Sequence, residues 1–260
     1  MATLLADPYY SESHEVFRMA TNQTQMMLDR VVDEVAGYRR LSILSVGSGV
    51  GLFEIPMLAR LGEVGIAVEK FVGVDPSAHA CAVMEQKLIE AEPAGLDFDL
   101  VTASFETFET SARFDLVLFN HVFEYLSGDA LAWIGKSHEL LGHGGRAMIF
   151  SPARGGINRI YEEAYAEMTG SPPLFADDIE RILDRSDTRF AAELLTAACE
   201  VSMLRRTGND REKLMLLSFL TQLDCRDLPV ETRDRYVAYY LSLREPGASS
   251  IAHPAMLFTM

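Results

Sequence analysis

The stretch Ile43-Leu44-Ser45-Val46-Gly47-Ser48-Gly49-Val50-Gly51 constrains this chain more than any other. A run of strand character ends directly on closely spaced glycines, and a run of helical character, Leu52 to Leu61, follows at once. The glycines therefore occupy a strand-to-helix turn. There the missing Cβ atoms let the backbone approach a ligand, and the first helical N–H groups are donors in need of a partner. Asp75 closes the next apolar run, Phe71 to Val74, where an acid can accept hydrogen bonds from a ribose diol.

The same rhythm continues downstream. Apolar runs at Leu41 to Val46, Phe71 to Val74, Phe98 to Thr102, Phe114 to Asn120 and Arg146 to Ser151 are separated by helical patterns at Leu52 to Leu61, Ala78 to Ala91 and Asp129 to Leu141. Near-continuous apolar strands alternating with helices predict an α/β fold whose parallel sheet is covered on both faces. Upstream, Val16, Met19, Met26, Met27, Val31, Val32 and Val35 recur at helical spacing, interrupted by Thr21-Asn22-Gln23-Thr24-Gln25. This predicts two helices joined by a polar junction, read as a solvated turn in preference to a lid that delivers polar groups to a pocket.

Beyond Ser151 helical patterns dominate, at Asn158 to Met168, Ala176 to Leu183, Leu214 to Leu223 and Val230 to Leu243, with breaks at Gly170-Ser171-Pro172-Pro173 and Gly208-Asn209-Asp210. Thr188 to Leu195 reads as one returning strand, and the apolar end Ala255 to Met260 as a last sheet strand. The expected organisation is a helical lid over 1–38, a core over 39–152, a helical cap over 153–250 and a final core strand over 251–260.

Composition narrows the function classes. With 23 basic against 38 acidic residues the net charge is −15, which opposes nucleic-acid and anionic-membrane partners. Cys81, Cys199 and Cys225 form no C-x-x-C pair, so neither a metal site nor a disulfide framework is expected, and a reducing cytoplasm fits. The N-terminal region carries Asp7, Glu12 and Glu15 rather than a basic segment, and no stretch has the length of a membrane span. The spacing Gly47, Gly49, Gly51 is tighter than the G-x-G-x-x-G of dinucleotide sites.

That spacing resembles the S-adenosylmethionine (SAM) methyltransferases of the Rossmann-like class. Phe114-Asp115-Leu116-Val117-Leu118-Phe119-Asn120 is similar to their fourth strand, and Leu140-Leu141-Gly142-His143-Gly144-Gly145-Arg146 to their helix-turn-strand segment. Within the class the chain resembles the histamine N-methyltransferases over most of its length. Ser45 stands where the usual acid precedes the glycines, Val74-Asp75-Pro76-Ser77-Ala78 resembles a Val-Glu-Pro-Ser-Ala segment, and Gly208-Asn209-Asp210 leads into a similar late helix. The resemblance implies a mostly parallel sheet with an antiparallel last strand. It also implies SAM contacts from Gly47, Ser48, Gly49, Gly51, Asp75, Pro76, Ala80, Ser104, Phe105 and Asn120, Ala80 departing from a glutamine.

The acceptor side diverges from those enzymes. Gln23 replaces the amine-binding glutamate, His121 a pocket glutamine and His253 an asparagine, so histamine is not the expected substrate. His121, beside Asn120 at a strand end, is placed to accept a proton from a nucleophile or to shape a pocket. Glu124 is spaced to orient it or to start a helix. Tyr9, Tyr10, Phe17, Phe123, Tyr125 and Tyr161 are candidates to line a cavity around a sulfonium, or to pack. Three readings stay open: methyl transfer to a small-molecule nitrogen or oxygen, with Asn120 and His121 as catalytic candidates; cyclisation of SAM to azetidine-2-carboxylate and methylthioadenosine; and SAM binding without turnover. None requires a metal, and no oligomeric state is implied.

Overall fold

In the computed structural model, residues 3–6, 8–91, 95–125, 129–170, 172–208 and 210–260 are described, with the backbone alone at 164 and 167–169. Asp7, Ser171 and Asn209 lie outside the described residues.

Two helices, α1 (Tyr9–Ala20) and α2 (Gln23–Glu34), precede the alternating part. There β1 (Arg40–Val46), α3 (Glu54–Glu63), β2 (Ala67–Asp75), α4 (Ala78–Ala91), β3 (Asp97–Thr102), β4 (Phe114–Asn120), α5 (Ala130–Leu140) and β5 (Leu141–Pro152) follow in order. The remainder comprises α6 (Asn158–Thr169), α7 (Ala176–Leu183), β6 (Ala191–Glu200), α8 (Arg211–Thr221), α9 (Val230–Ser242) and β7 (Ser250–Thr259). The seven strands form one sheet of order β3-β2-β1-β4-β5-β7-β6. β1 pairs in parallel with β2 and β4, β2 with β3, and β4 with β5. β7 runs antiparallel to β5, as the reciprocal bonds Ala147 N–H to Met260 O (3.0 Å) and Met260 N–H to Ala147 O (2.9 Å) require.

The division of the sheet at β1 positions the site. Strand order reverses there, β2 and β3 lying to one side and β4 and β5 to the other, and ligands of open α/β sheets bind beyond the carboxyl ends of the strands at such a point. β1, β2 and β4 are apolar and buried along their C-terminal halves; Ile43, Leu44, Phe71, Leu116 and Phe119 have no more than 0% exposure.

The chain divides into two compact units. One comprises Met1–Thr24, Pro152–Pro173 and Leu194–Ala255; the other comprises Gln25–Ser151, Leu174–Glu193 and Met256–Met260. These units follow contacts, whereas the segments 1–38, 39–152, 153–250 and 251–260 expected from sequence follow element boundaries. The core of the first unit joins Phe17, Ile160, Cys199, Leu216 and Tyr240, the Tyr240 hydroxyl donating to Leu220 O at 2.7 Å.

Several boundaries differ from expectation for local reasons. Helix α3 begins at Glu54 rather than Leu52, since the turn continues to Gly51, whose φ is +75°. Strand β5 begins at Leu141 rather than Arg146, because Leu141 already pairs with Phe114 through a glycine-rich stretch that reads as a turn. β6 is displaced from Thr188–Leu195 to Ala191–Glu200, over alanines of weak strand preference. β7 starts at Ser250 rather than Ala255 and runs through Pro254. No helix among the described residues is long and apolar enough to cross a membrane.

Candidate functional site

The glycine turn assigns its three glycines different tasks. Gly47, Gly49 and Gly51 all have positive φ, +66°, +53° and +75°. A Cβ on Gly47 would lie 2.5 Å from Val122 Cγ2, and one on Gly51 2.9 Å from Met84 Cγ, so these two are glycines because the protein packs against them. A Cβ on Gly49 would meet nothing within 4 Å. Gly49 is thus the glycine on the open side of the turn.

Asp75 closes the turn from β2. Its Oδ2 accepts from Gly49 N–H at 2.9 Å and its Oδ1 from Ser77 N–H at 2.8 Å. Each carboxylate oxygen has a second lone pair, so both remain capable of accepting a ligand hydroxyl while the side chain is held in one orientation. The Gly49 N–H fixes the acid. Among the described residues Ser48 Oγ is buried without a hydrogen-bond partner.

A second acid, absent from the sequence reading, stands behind the turn. Ser45 Oγ donates to Glu54 Oε1 at 2.9 Å, with Ser45 0% and Glu54 3% exposed. Burial pushes the Glu54 carboxyl up from 4.5 to about 7; backbone N–H groups and the Ser45 hydroxyl oppose the rise, and the charge of Asp75 adds to it. The signal was available in the sequence as a lone acid, Glu54, in the first turn after the glycines, with Ser45 at the strand end.

The end of β4 supplies the third group. Among the described residues Asn120 Oδ1 is buried without a partner. His121 follows with φ +54°, a left-handed conformation that costs about 1 kcal/mol in a residue with a Cβ. It is held by His121 N–H donating to Phe150 O at 3.0 Å, and Nδ1 lies 3.2 Å from Glu124 Oε1. The Glu124 side chain is 4% exposed and that of His121 28%, and among the described residues Glu124 Oε2 has no partner. Glu124 sits on a 3₁₀ turn, Phe123–Tyr125, rather than in an α-helix. Ser151 Oγ, next after Phe150, which pairs with Asn120, is also buried without a partner among the described residues and was not anticipated.

Ser104 and Phe105 begin the turn after β3. Ser104 Oγ lies 3.2 Å from Thr107 Oγ1, while the Phe105 ring is 2% exposed and edge-on to Phe119 and Trp133, each at 5.3 Å. Lys136 Nζ from α5 donates to the carbonyls of Phe105 (2.6 Å), Glu106 (3.3 Å) and Phe108, pinning this turn. Pro76 is exposed beside Asp75, and Ala80, 4% exposed, directs its N–H to Ser77 Oγ at 3.2 Å.

The remaining candidates belong to the other unit. The Thr21–Gln25 junction is not a solvated turn: Thr21 Oγ1 lies 2.8 Å from His253 Nδ1 and donates to Ala198 O at 3.1 Å, while Asn22 Oδ1 accepts from Ala198 N–H at 2.8 Å. Gln23, 3% exposed, donates from Nε2 to His253 O at 3.2 Å. The tertiary pairing of Thr21 with Cys199 outweighs the polar composition that suggested solvation. Phe17 packs on His253 at 5.1 Å and on Phe219 at 4.4 Å, and Tyr10 on Phe219 at 5.7 Å, so Tyr10, Phe17, Gln23 and His253 form one cluster. The Tyr9 ring lies under the Arg226 guanidinium at 3.7 Å. Tyr161 packs edge-on to Tyr165 at 5.6 Å.

Known proteins share this architecture. Residues 44–147 match the model of the methyltransferase domain. The fold is the Rossmann-like methyltransferase fold. A ubiquinone biosynthesis O-methyltransferase of Ruegeria sp. (strain TM1040) is 32% identical over 126 residues, 48% of this chain and 47% of the relative. The chain thus aligns with about half the length of the curated relatives it matches. Among solved structures, YcgJ of Bacillus subtilis superposes with a TM-score of 0.61 at 12% identity, over 90% of this chain and 97% of that one. Magnesium protoporphyrin IX methyltransferase of Synechocystis PCC 6803, with SAH bound, gives 0.53 at 18% identity, over 70% and 78%. The sequence relatives are O-methyltransferases, where the motifs had suggested histamine N-methyltransferases; the methyltransferase domain is the common ground.

Proposed function

We propose that the chain binds SAM at the Gly47–Gly51 turn and transfers its methyl group to an oxygen or nitrogen of a small molecule. The observation that carries this reading is the Asp75 carboxylate, locked by Gly49 and Ser77 N–H groups on the open side of a positive-φ glycine turn. The methyltransferase domain match over 44–147 supports it. The residues present fit the cofactor: an open side at Gly49 and the orphaned polar atoms Ser48 Oγ and Asn120 Oδ1 are what a polar nucleoside ligand would complete.

When bound, SAM supplies an electrophilic methyl carbon on a sulfonium. Asp75 would accept from the ribose hydroxyls, and the packed Gly47 and Gly51 would keep the turn rigid as a preformed seat. The turn at Ser104, pinned by Lys136, would border the adenine. His121 would take the proton of the acceptor; its Nδ1 lies 3.2 Å from Glu124 Oε1, close enough for that 4% exposed side chain to balance the charge formed. The O-methyltransferase relatives favour oxygen over nitrogen as the nucleophile.

The test is incubation of the purified chain with SAM, alone and with a panel of hydroxyl and amine acceptors, followed by mass spectrometry. SAH formed only with an acceptor is the expected result. Methylthioadenosine with azetidine-2-carboxylate, formed from SAM alone, would replace methyl transfer by cyclisation, and binding without any product would leave a SAM-binding protein.

A further inference from the structure

Of the 23 basic residues only Lys70, Lys87, Lys136 and Lys213 are lysines, so arginine is the usual cation of this chain. Lys70 pairs with the carboxylates of Asp97 and Asp99, whereas Lys136, on α5, gathers backbone carbonyls. Its Nζ donates to Phe105 O at 2.6 Å, to Glu106 O at 3.3 Å and to Phe108 O, and lies 5.0 Å from the centroid of the Phe105 ring. An ammonium spreads three donors tetrahedrally, which converging carbonyls can share, while the planar fork of an arginine matches a carboxylate. Lysine is thus the cation that this turn requires.

The turn so held springs from the Asp75 site. Asp75 pairs with Thr102 across β2 and β3, and Ala103 N–H donates to Asp75 O at 3.1 Å. Ser104 O then accepts from the N–H groups of Thr107 and Phe108, at 3.2 and 3.0 Å, closing the turn on itself. A trans peptide directs its C=O and its N–H to opposite sides. Fixing Phe105 O on Lys136 therefore turns the Glu106 N–H, in the same peptide plane, away from that lysine. Among the described residues no backbone carbonyl takes this N–H.

We propose that Lys136 is a positioning residue that makes the site select adenine over hypoxanthine, by holding the turn over 104–108 so that Glu106 N–H meets the base at N1. The inference rests on the SAM reading above. In adenine N1 carries a lone pair and accepts from an N–H. In hypoxanthine N1 bears a hydrogen, so two donors would face each other and neither would be satisfied. Without the lysine the peptide is free to rotate, and the distinction between the bases is lost while the ribose stays with Asp75.

The experiment is calorimetric titration of the full chain with SAH and with S-inosylhomocysteine, the SAH analogue in which hypoxanthine replaces adenine, for wild type, Lys136→Met and Lys136→Arg. Methionine keeps an apolar stem against Phe105 and has no donor; arginine keeps the charge without the tetrahedral donors. Wild type should prefer SAH by about tenfold or more, the scale of one hydrogen bond exchanged for an unpaired donor. In Lys136→Met the preference should fall to about threefold or less, and Lys136→Arg should not restore it. Equal affinities in wild type overturn the proposal, and this comparison needs no variant. A folded Lys136→Met that keeps the wild-type preference also overturns it, even where both affinities drop, because a merely structural lysine weakens the two ligands alike. A wild-type preference in Lys136→Arg overturns the need for three donors. If neither ligand binds wild type, the SAM reading itself fails, an outcome distinct from equal binding of both.

Discussion

Replacing Glu54 by glutamine tests the buried acid through stability alone, with no ligand. The native carboxyl titrates at about 7 against an ordinary 4.5. The native state thus holds the Glu54 proton more tightly than the unfolded chain does. Between these values native Glu54 carries more bound proton than unfolded Glu54, so its contribution to stability is fully present below pH 4.5 and is lost as pH rises through about 7. The displacement corresponds to about 3 kcal/mol, at roughly 1.4 kcal/mol for each tenfold in proton affinity. Glutamine keeps an oxygen for Ser45 Oγ and does not ionise. Urea unfolding of both proteins at a series of pH values should therefore show Glu54→Gln gaining on wild type by about 3 kcal/mol between pH about 4.5 and 8, with the other titrating groups cancelling in the difference. A difference that stays flat across that window would refute a buried, proton-holding Glu54.

Gly47→Ala should lower stability by roughly 2 to 4 kcal/mol, combining the left-handed penalty with the collision against Val122, and Val122→Ala should recover part of it in urea unfolding. Asp75→Asn retains one acceptor oxygen for two N–H donors, so it should cost about 1 to 2 kcal/mol in thermal unfolding and weaken SAM at least tenfold by calorimetry, ordinary affinity in the variant counting against the ribose role. His121→Gln should leave SAH affinity within about threefold while turnover with an identified acceptor falls by roughly two to four decades; unchanged turnover would remove His121 from proton transfer.

What was legible in the sequence was whatever local pattern alone decides. β4 and α4 run between the residues expected, Phe114–Asn120 and Ala78–Ala91, because a continuous apolar run and a long helical period are each unambiguous. Spacing alone also placed Gly47, Gly49, Gly51 and Asp75 at one turn. It did not separate their roles, since the need for glycine at 47 lies in Val122, distant in sequence. Glu54 was passed over for a similar reason: a lone acid in a first helical turn reads as a favourable interaction with the helix dipole, and its burial depends on the strands around it. The polar run Thr21 to Gln25 was misjudged because its partners, Ala198 and His253, are supplied from the far end of the chain. β6 likewise exists through pairing rather than composition.

Calorimetric titration of SAM into Gly49→Arg addresses the central claim most directly. A Cβ at this position meets nothing within 4 Å, so the variant should fold with little more than the left-handed penalty of about 1 to 2 kcal/mol, while the long side chain enters the space assigned to the ligand. The expected result is a folded protein with no measurable SAM binding beside a wild type that binds. A folded Gly49→Arg that binds SAM with wild-type affinity would contradict the assignment of the cofactor to this turn.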